Sequence, residues 1–185
     1  MDNEARLVCR IQKSGSRTDA DALVHRYYDE IYVYVWRQTS NKDIALDLTQ
    51  EIFMAALRAI HLYDPKRSGF RTWLYRIATN KLTDTFRSRV TQQKWMTETI
   101  KQADITDPRD FFRQIESREL LSKLQARVNE MDMDSQRIFR LKCFGEHTFA
   151  QIAAILDMPE ATIKSRYYRL IRILREEFED EYKNA

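Results

Sequence analysis

Apolar residues recur at helical spacing along most of the chain. From Ala20 onward, Leu23, Val24, Tyr27, Tyr28, Ile31 and Val35 follow the i, i+3, i+4, i+7 rule and predict an amphipathic helix. Asn41 can cap a second helix, whose stripe is Ala45, Leu48, Ile52, Phe53, Ala56, Leu57 and Ile60. Asp64-Pro65 and Ser68-Gly69 then supply turn chemistry between residues 61 and 69. A third stripe, Phe70, Trp73, Leu74, Ile77, Ala78, Leu82 and Phe86, leaves Arg71, Arg76, Asn80, Asp84 and Arg87 pointing away from the core. Three helices of this size can close a small bundle.

Between Thr91 and Arg113 the periodicity weakens, and Asp107-Pro108 breaks any helix that would cross it. A second helical block opens near Ser117 with Leu121, Leu124, Val128 and Met131 on one face, followed by a short helix holding Ile138, Phe139 and Leu141 that stops at Gly145. Thr148 and Gln151 have capping-box spacing, in which each side chain satisfies a backbone amide at the helix start; Ile152, Ala153 and Ile155 lie on the helix that follows. Asp157-Met158-Pro159 forms a tight turn, and a last helix runs from Glu160 to about Phe178, burying Ile163, Tyr167, Leu170, Leu174 and Phe178. The expected architecture is all-α, with two small helical domains, residues 1–91 and 117–185, joined by a flexible linker, 92–116.

Composition supports that reading, since three Gly and three Pro leave little turn chemistry for an all-β or Rossmann-like fold. Cys9 and Cys143 form no metal-binding or disulfide pattern, which fits reduced thiols in the cytoplasm. His25, His61 and His147 lack metal-ligand spacing, no Gly-rich phosphate loop is present, and no catalytic constellation can be recognised. We expect a protein that is not an enzyme and needs no cofactor. No export signal or membrane span is evident, as no stretch approaches about 18 uninterrupted apolar residues.

The net charge of +3 is too small to identify a partner, so its distribution matters. Arg58, Lys66, Arg67, Arg71, Arg76, Lys81, Arg87, Arg89 and Lys94 face only Asp64 and Asp84 as acids in that stretch. Aromatics are interleaved with them. Cations neutralise phosphates and exposed bases stack on rings, a combination suited to an opened strand. Phe70, Trp73 and Phe86 fall on the apolar stripe and are expected in the core, which leaves Tyr63, Tyr75, Asn80 and the arginines available.

On the last helix Thr162, Ser165, Arg166 and Arg169 share one face, broadened by Lys164 and Arg172. Guanidinium groups can bond guanine edges and hydroxyls can bond phosphates, so this face suits a major groove. An isolated basic helix reads more simply as a solvated surface; the capped helix and tight turn before it favour DNA. Tyr167 is expected in the core. Tyr168, about 100° round the helix, either packs beside a DNA backbone or is partly buried.

Asp47-Leu48-Thr49-Gln50-Glu51-Ile52-Phe53 resembles the region 2.2 signature of extracytoplasmic-function sigma factors, and Phe70 to Asn80 resembles their region 2.3 to 2.4 helix. Phe149 to Ala153 and Ala161 to Arg166 resemble region 4. The likeness runs from about Asp19 to Phe178; regions 1.1 and 3 have no counterpart. It implies that Asp47, Gln50, Glu51 and Met54 meet the β′ clamp helices of core RNA polymerase, with the β flap as a second contact. It further implies that Tyr63, Lys66, Arg67, Arg76, Asn80, Asp84 and Arg87 capture the opened −10 strand of promoter DNA. Thr162, Lys164, Ser165, Arg166 and Arg169 would read the −35 duplex, and an anti-sigma factor is a further expected partner. The rival is a conventional helix-turn-helix regulator whose first block senses a ligand or mediates dimerisation.

Overall fold

The computed structural model describes residues 3–87 and 118–182, and among these every regular element is helical. Packing divides the chain into two units, Met1–Leu82 and Thr83–Ala185. The expected linker, 92–116, and the expected boundary at 91 lie outside the described residues.

The first unit contains α1 (Asn3–Ser14), α2 (Arg17–Thr39), α3 (Lys42–Ala59), a 3-10 turn (Ile60–Leu62) and most of α4 (Phe70–Arg87). Helix α1 was not anticipated. Its signals were nonetheless present: Leu7, Val8 and Ile11 form a buried ridge, Glu4 lies in the first turn and Lys13 in the last. Gly15 then ends it at φ 62°, a left-handed conformation that favours glycine. Helix α2 starts at Arg17, three residues before the expected Ala20, with Ser16 as its N-cap. Asn41 caps α3 as expected, its Oδ1 accepting from the Ile44 amide at 3.0 Å.

Helices α1, α2 and α3 pack around Val8, Leu23, Ile31, Val35, Ala45 and Ile52. The expected stripe on α4 holds at Phe70, Leu74, Ala78, Leu82 and Phe86 and shifts at one edge. Tyr75, Thr79 and Thr83 are buried, whereas Trp73 and Ile77 are only half-buried. The Thr79 hydroxyl shares a 3.1 Å hydrogen bond with the Tyr34 hydroxyl, which offsets its burial.

The second unit contains α5 (Arg118–Asn129), α6 (Met133–Phe139), a π-helical turn (Arg140–Phe144), α7 (Phe149–Leu156) and α8 (Glu160–Tyr182). Leu124, Val128, Ile138, Leu141, Ile152, Ile155, Ile163, Leu170 and Leu174 form its core. Gln136 is fully buried among them. Its side-chain amide donates to the Asn129 and Met131 carbonyls, both at 2.9 Å, and so satisfies the end of α5. The π turn closes with the Gly145 amide on the Arg140 carbonyl; a Cβ there would stand 2.9 Å from the Leu141 carbonyl oxygen, so the stop requires glycine.

Candidate functional site

The surfaces expected to act are built on α3, on α4 with the loop before it, and on α8. On α3, Leu48, Thr49, Ile52, Phe53 and Ala56 turn inward, which leaves Asp47, Gln50, Glu51 and Met54 exposed along the opposite face. Half of Met54 is solvent-accessible, an apolar group set in a polar surround. The Lys81 ammonium on α4 lies 2.6 Å from the Glu51 carboxylate. The rest of this face is open.

The loop before α4 departs from expectation at Tyr63, which is 7% exposed. Its ring packs edge-on to Phe70 at 5.6 Å and tilted against Trp73 at 5.4 Å, while Phe70 also meets Tyr27. Burial raises the pKa of its hydroxyl, aided by Glu4 and Asp64. Tyr63 therefore anchors the loop and does not stand ready to stack on a base. Tyr75 is likewise buried, against Tyr34 and beneath Arg71. The half-buried Trp73, expected in the core, retains some accessible ring.

What the loop does expose is Leu62, His61, Lys66 and Arg67. Asp64 shapes the tip: its carboxylate accepts from the Lys66 amide at 2.9 Å and its carbonyl from the Arg67 amide at 3.1 Å. Leu62, 71% exposed, was missed by sequence reasoning because periodicity assigns every neighbouring apolar residue to the core. On α4, Arg76, Asn80, Asp84 and Arg87 lie at i, i+4, i+8 and i+11 and form one line away from the buried stripe. Asp84 and Arg87 are exposed; Arg76 and Asn80 are partly covered.

In the second unit the helix-turn-helix forms as expected. The Gln151 amide donates to Thr148 Oγ1 at 3.2 Å, and the Thr148 amide donates to Gln151 Oε1 at 2.8 Å, completing the capping box. Asp157 adopts a left-handed conformation at φ 57°, its amide satisfying the Ala153 carbonyl, and Pro159 accepts the first bond of α8 from Ile163.

The expected reading face of α8 is split. Ser165 and Arg169 are exposed, Thr162 and Arg166 partly covered. Arg166 is held from the side: its Nη1 donates to Asp134 at 2.8 Å and to Asp132 at 3.4 Å, both at the start of α6. Burial opposes the Asp132 charge, yet the Ser135 hydroxyl and amide and the Arg166 guanidinium hold its pKa below the usual carboxylate value. Lys164 pairs with Glu160 one turn back at 2.6 Å, a bond that raises its pKa. Tyr168 is 61% exposed, against the partly buried alternative, and its ring lies 5.9 Å from Phe149. Tyr167, expected in the core, is half-buried between the same rings. The outermost line of α8 is thus Ala161, Ser165, Tyr168 and Arg172, with Arg169 beside it.

Among the described residues no group of His, Cys, Asp or Glu is arranged to hold a metal, and no helix is long and apolar enough to cross a membrane.

Residues 23–91 match the model for Sigma-70 region 2, and residues 121–174 match that for Sigma-70, region 4. The ECF RNA polymerase sigma factor SigW of Bacillus subtilis (strain 168) is 31% identical over 182 residues, spanning 91% of this chain and 95% of SigW. The RNA polymerase sigma-H factor of Pseudomonas aeruginosa is 28% identical over 175 residues, spanning 91% of this chain and 90% of the relative. The structure of CnrH in complex with the cytosolic domain of CnrY is similar in fold, with a TM-score of 0.62 at 19% identity over 97% of this chain and 99% of that one. A chain that carries both regions and matches such relatives along nearly its whole length is not a conventional ligand-sensing regulator. It belongs to the ECF RNA polymerase sigma factors of the sigma-70 family.

Proposed function

We propose that the sigma-factor activity of this chain is divided among three surfaces. The α3 face of Asp47, Gln50, Glu51 and Met54 docks on the β′ clamp helices of core RNA polymerase, and the second unit also meets the β flap. The exposed loop residues Lys66 and Arg67, with Arg76, Asn80, Asp84 and Arg87 of α4, capture the opened non-template strand of the −10 element. Thr162, Lys164, Ser165 and Arg169 read the −35 duplex, joined by Tyr168. Arg166 serves that surface from its flank, tied to α6. Tyr63 supports the −10 surface from beneath.

The observation that carries this reading is the exposed Met54 within an acidic and amide-bearing line on α3. A charged face interrupted by an accessible apolar group suits a protein partner with a basic rim, where charge steers encounter and the apolar contact adds affinity. The action takes place in the cytoplasm, where the polymerase is. An anti-sigma factor is the natural regulator: the sigma factor RpoE of Bartonella quintana, similar in fold with a TM-score of 0.52, forms a complex with the anti-sigma factor NepR.

The deciding experiment mixes the purified chain with bacterial core RNA polymerase and assays co-elution and initiation on genomic fragments. Stable assembly with discrete start sites is expected. Binding to duplex DNA without polymerase association overturns the assignment of the α3 face.

A further inference from the structure

Helix α1 lies before residue 23, where the region 2 match begins, and none of its residues belongs to the three surfaces above. One of its side chains reaches the root of the loop. Gln12 Nε2 donates to the Ile60 carbonyl at 2.8 Å and to the Tyr63 carbonyl at 2.9 Å, contacts separated by 48 and 51 positions in sequence. These two carbonyls flank His61 and Leu62, the exposed residues of the 3-10 turn. The same turn is closed by the Tyr63 amide on the Ile60 carbonyl at 3.1 Å, so the Ile60 oxygen accepts twice. Tyr63 is thereby held at both ends, its ring by Phe70 and Trp73 and its carbonyl by Gln12.

The rest of α1 is braced for this purpose. Leu7, Val8 and Ile11 bury one face, the Arg10 guanidinium donates to Asp19 at the start of α2, and the Tyr27 hydroxyl donates to Glu4. Beyond Tyr63 the chain has only the Asp64 turn to shape it before α4 begins at Phe70. A loop that must receive a base flipped out of the stack gains from having its root set beforehand, because ordering it on binding costs free energy that weakens capture.

We propose that Gln12 is a positioning residue for strand capture: its paired bonds fix the 3-10 turn and so the presentation of Leu62, Lys66 and Arg67 to the opened strand. This inference rests on the assignment of the loop to the −10 element made above. The requirement is for a donor, since both partners are carbonyl oxygens. Gln12→Glu keeps the shape but directs a carboxylate at two acceptors, whereas Gln12→Lys restores a donor long enough to reach them.

The test uses the full chain assembled with core polymerase on a promoter recovered from the genomic-fragment assay. Opening is followed by permanganate reactivity of unpaired thymines, and polymerase affinity and melting temperature are measured alongside. Gln12→Glu is expected to slow opening by about tenfold, with polymerase affinity unchanged, and Gln12→Lys to recover most of that loss. Melting temperatures equal in the Glu and Lys variants assign the difference to the loop and not to folding. Unaltered opening in Gln12→Glu, or equal loss in Gln12→Lys, overturns the proposal. Lys66→Ala with Arg67→Ala serves as the control on the underlying assignment. If that pair leaves opening untouched, the loop is not the capturing element, and the role of Gln12 falls with it.

Discussion

Helices α3 and α8 present outward faces with the same periodicity and opposite chemistry, and the two are provisioned differently. On α3 the acidic and amide residues stand open, with Lys81 on Glu51 as the one ion pair seen among the four. On α8 three of the basic residues are already engaged, Lys164 by Glu160, Arg166 by Asp132 and Asp134, and Arg172, at a longer 3.9 Å, by Glu176. Counting cations along a helix therefore overstates the charge free to meet phosphates or bases. An arginine tied to a neighbouring helix first shapes its own domain, and only its unbonded donors remain for a ligand.

The comparison can be broken most forcefully on α3. Replacing Gln50 and Glu51 together by Ala is expected to reduce affinity for core polymerase by about a hundredfold, as for the central residues of a protein interface, with helical content by circular dichroism unchanged. A variant that still co-elutes normally would falsify the docking assignment. On α8, Arg169→Ala should weaken binding to the −35 duplex by about tenfold to a hundredfold and relax base preference there, in a titration of holoenzyme against matched and mutated fragments. Arg166→Ala should lose less base preference than Arg169→Ala; the reverse order would remove the distinction between the tied and the free arginine.

A smaller effect concerns how α8 is presented. Thr148→Ala removes the cap of α7 and is expected to destabilise the second unit by about 1 kcal/mol in urea unfolding, while leaving polymerase docking through α3 intact. The smallest is the ion pair itself. Arg166→Ala should lower stability at neutral pH by less than about 1 kcal/mol, since all three partners are partly exposed. Because the Asp132 pKa is lowered in the folded chain, its share is present above the ordinary aspartate value, about 3.9, and is lost as pH falls through the lowered value. Melting curves of the two proteins should converge in that acid range; a gap that persists there points to a packing role for the arginine.

Legibility differed from one element to the next for identifiable reasons. The Thr148–Gln151 box, the Asp157 turn and the Asn41 cap were readable because capping is local chemistry, settled within three or four residues. On α4 the periodicity is right for Phe70, Leu74, Ala78, Leu82 and Phe86 but misses one edge of the stripe. Trp73 and Ile77 are more hydrophobic than Thr79 and Thr83, and only a partner such as Tyr34 makes burial of a threonine favourable. Tyr63 looked available because a loop residue carries no periodic signal, and its burial depends on rings seven and ten positions later. The buried Gln136 carries no local signal, since its burial is justified by the Asn129 and Met131 carbonyls at the end of another helix.

The helical class, the two regions, the exposed line on α3 and the helix-turn-helix were all present in the order of residues, because periodicity and capping act over one or two turns. Which basic side chains on α8 are free, which aromatics support the loop instead of facing solvent, and what holds the loop's root were decided by tertiary structure. Those choices depend on hydrogen bonds and ring contacts between residues as far apart as Gln12 and Tyr63 or Asp134 and Arg166, whose energies exist only once the helices have met.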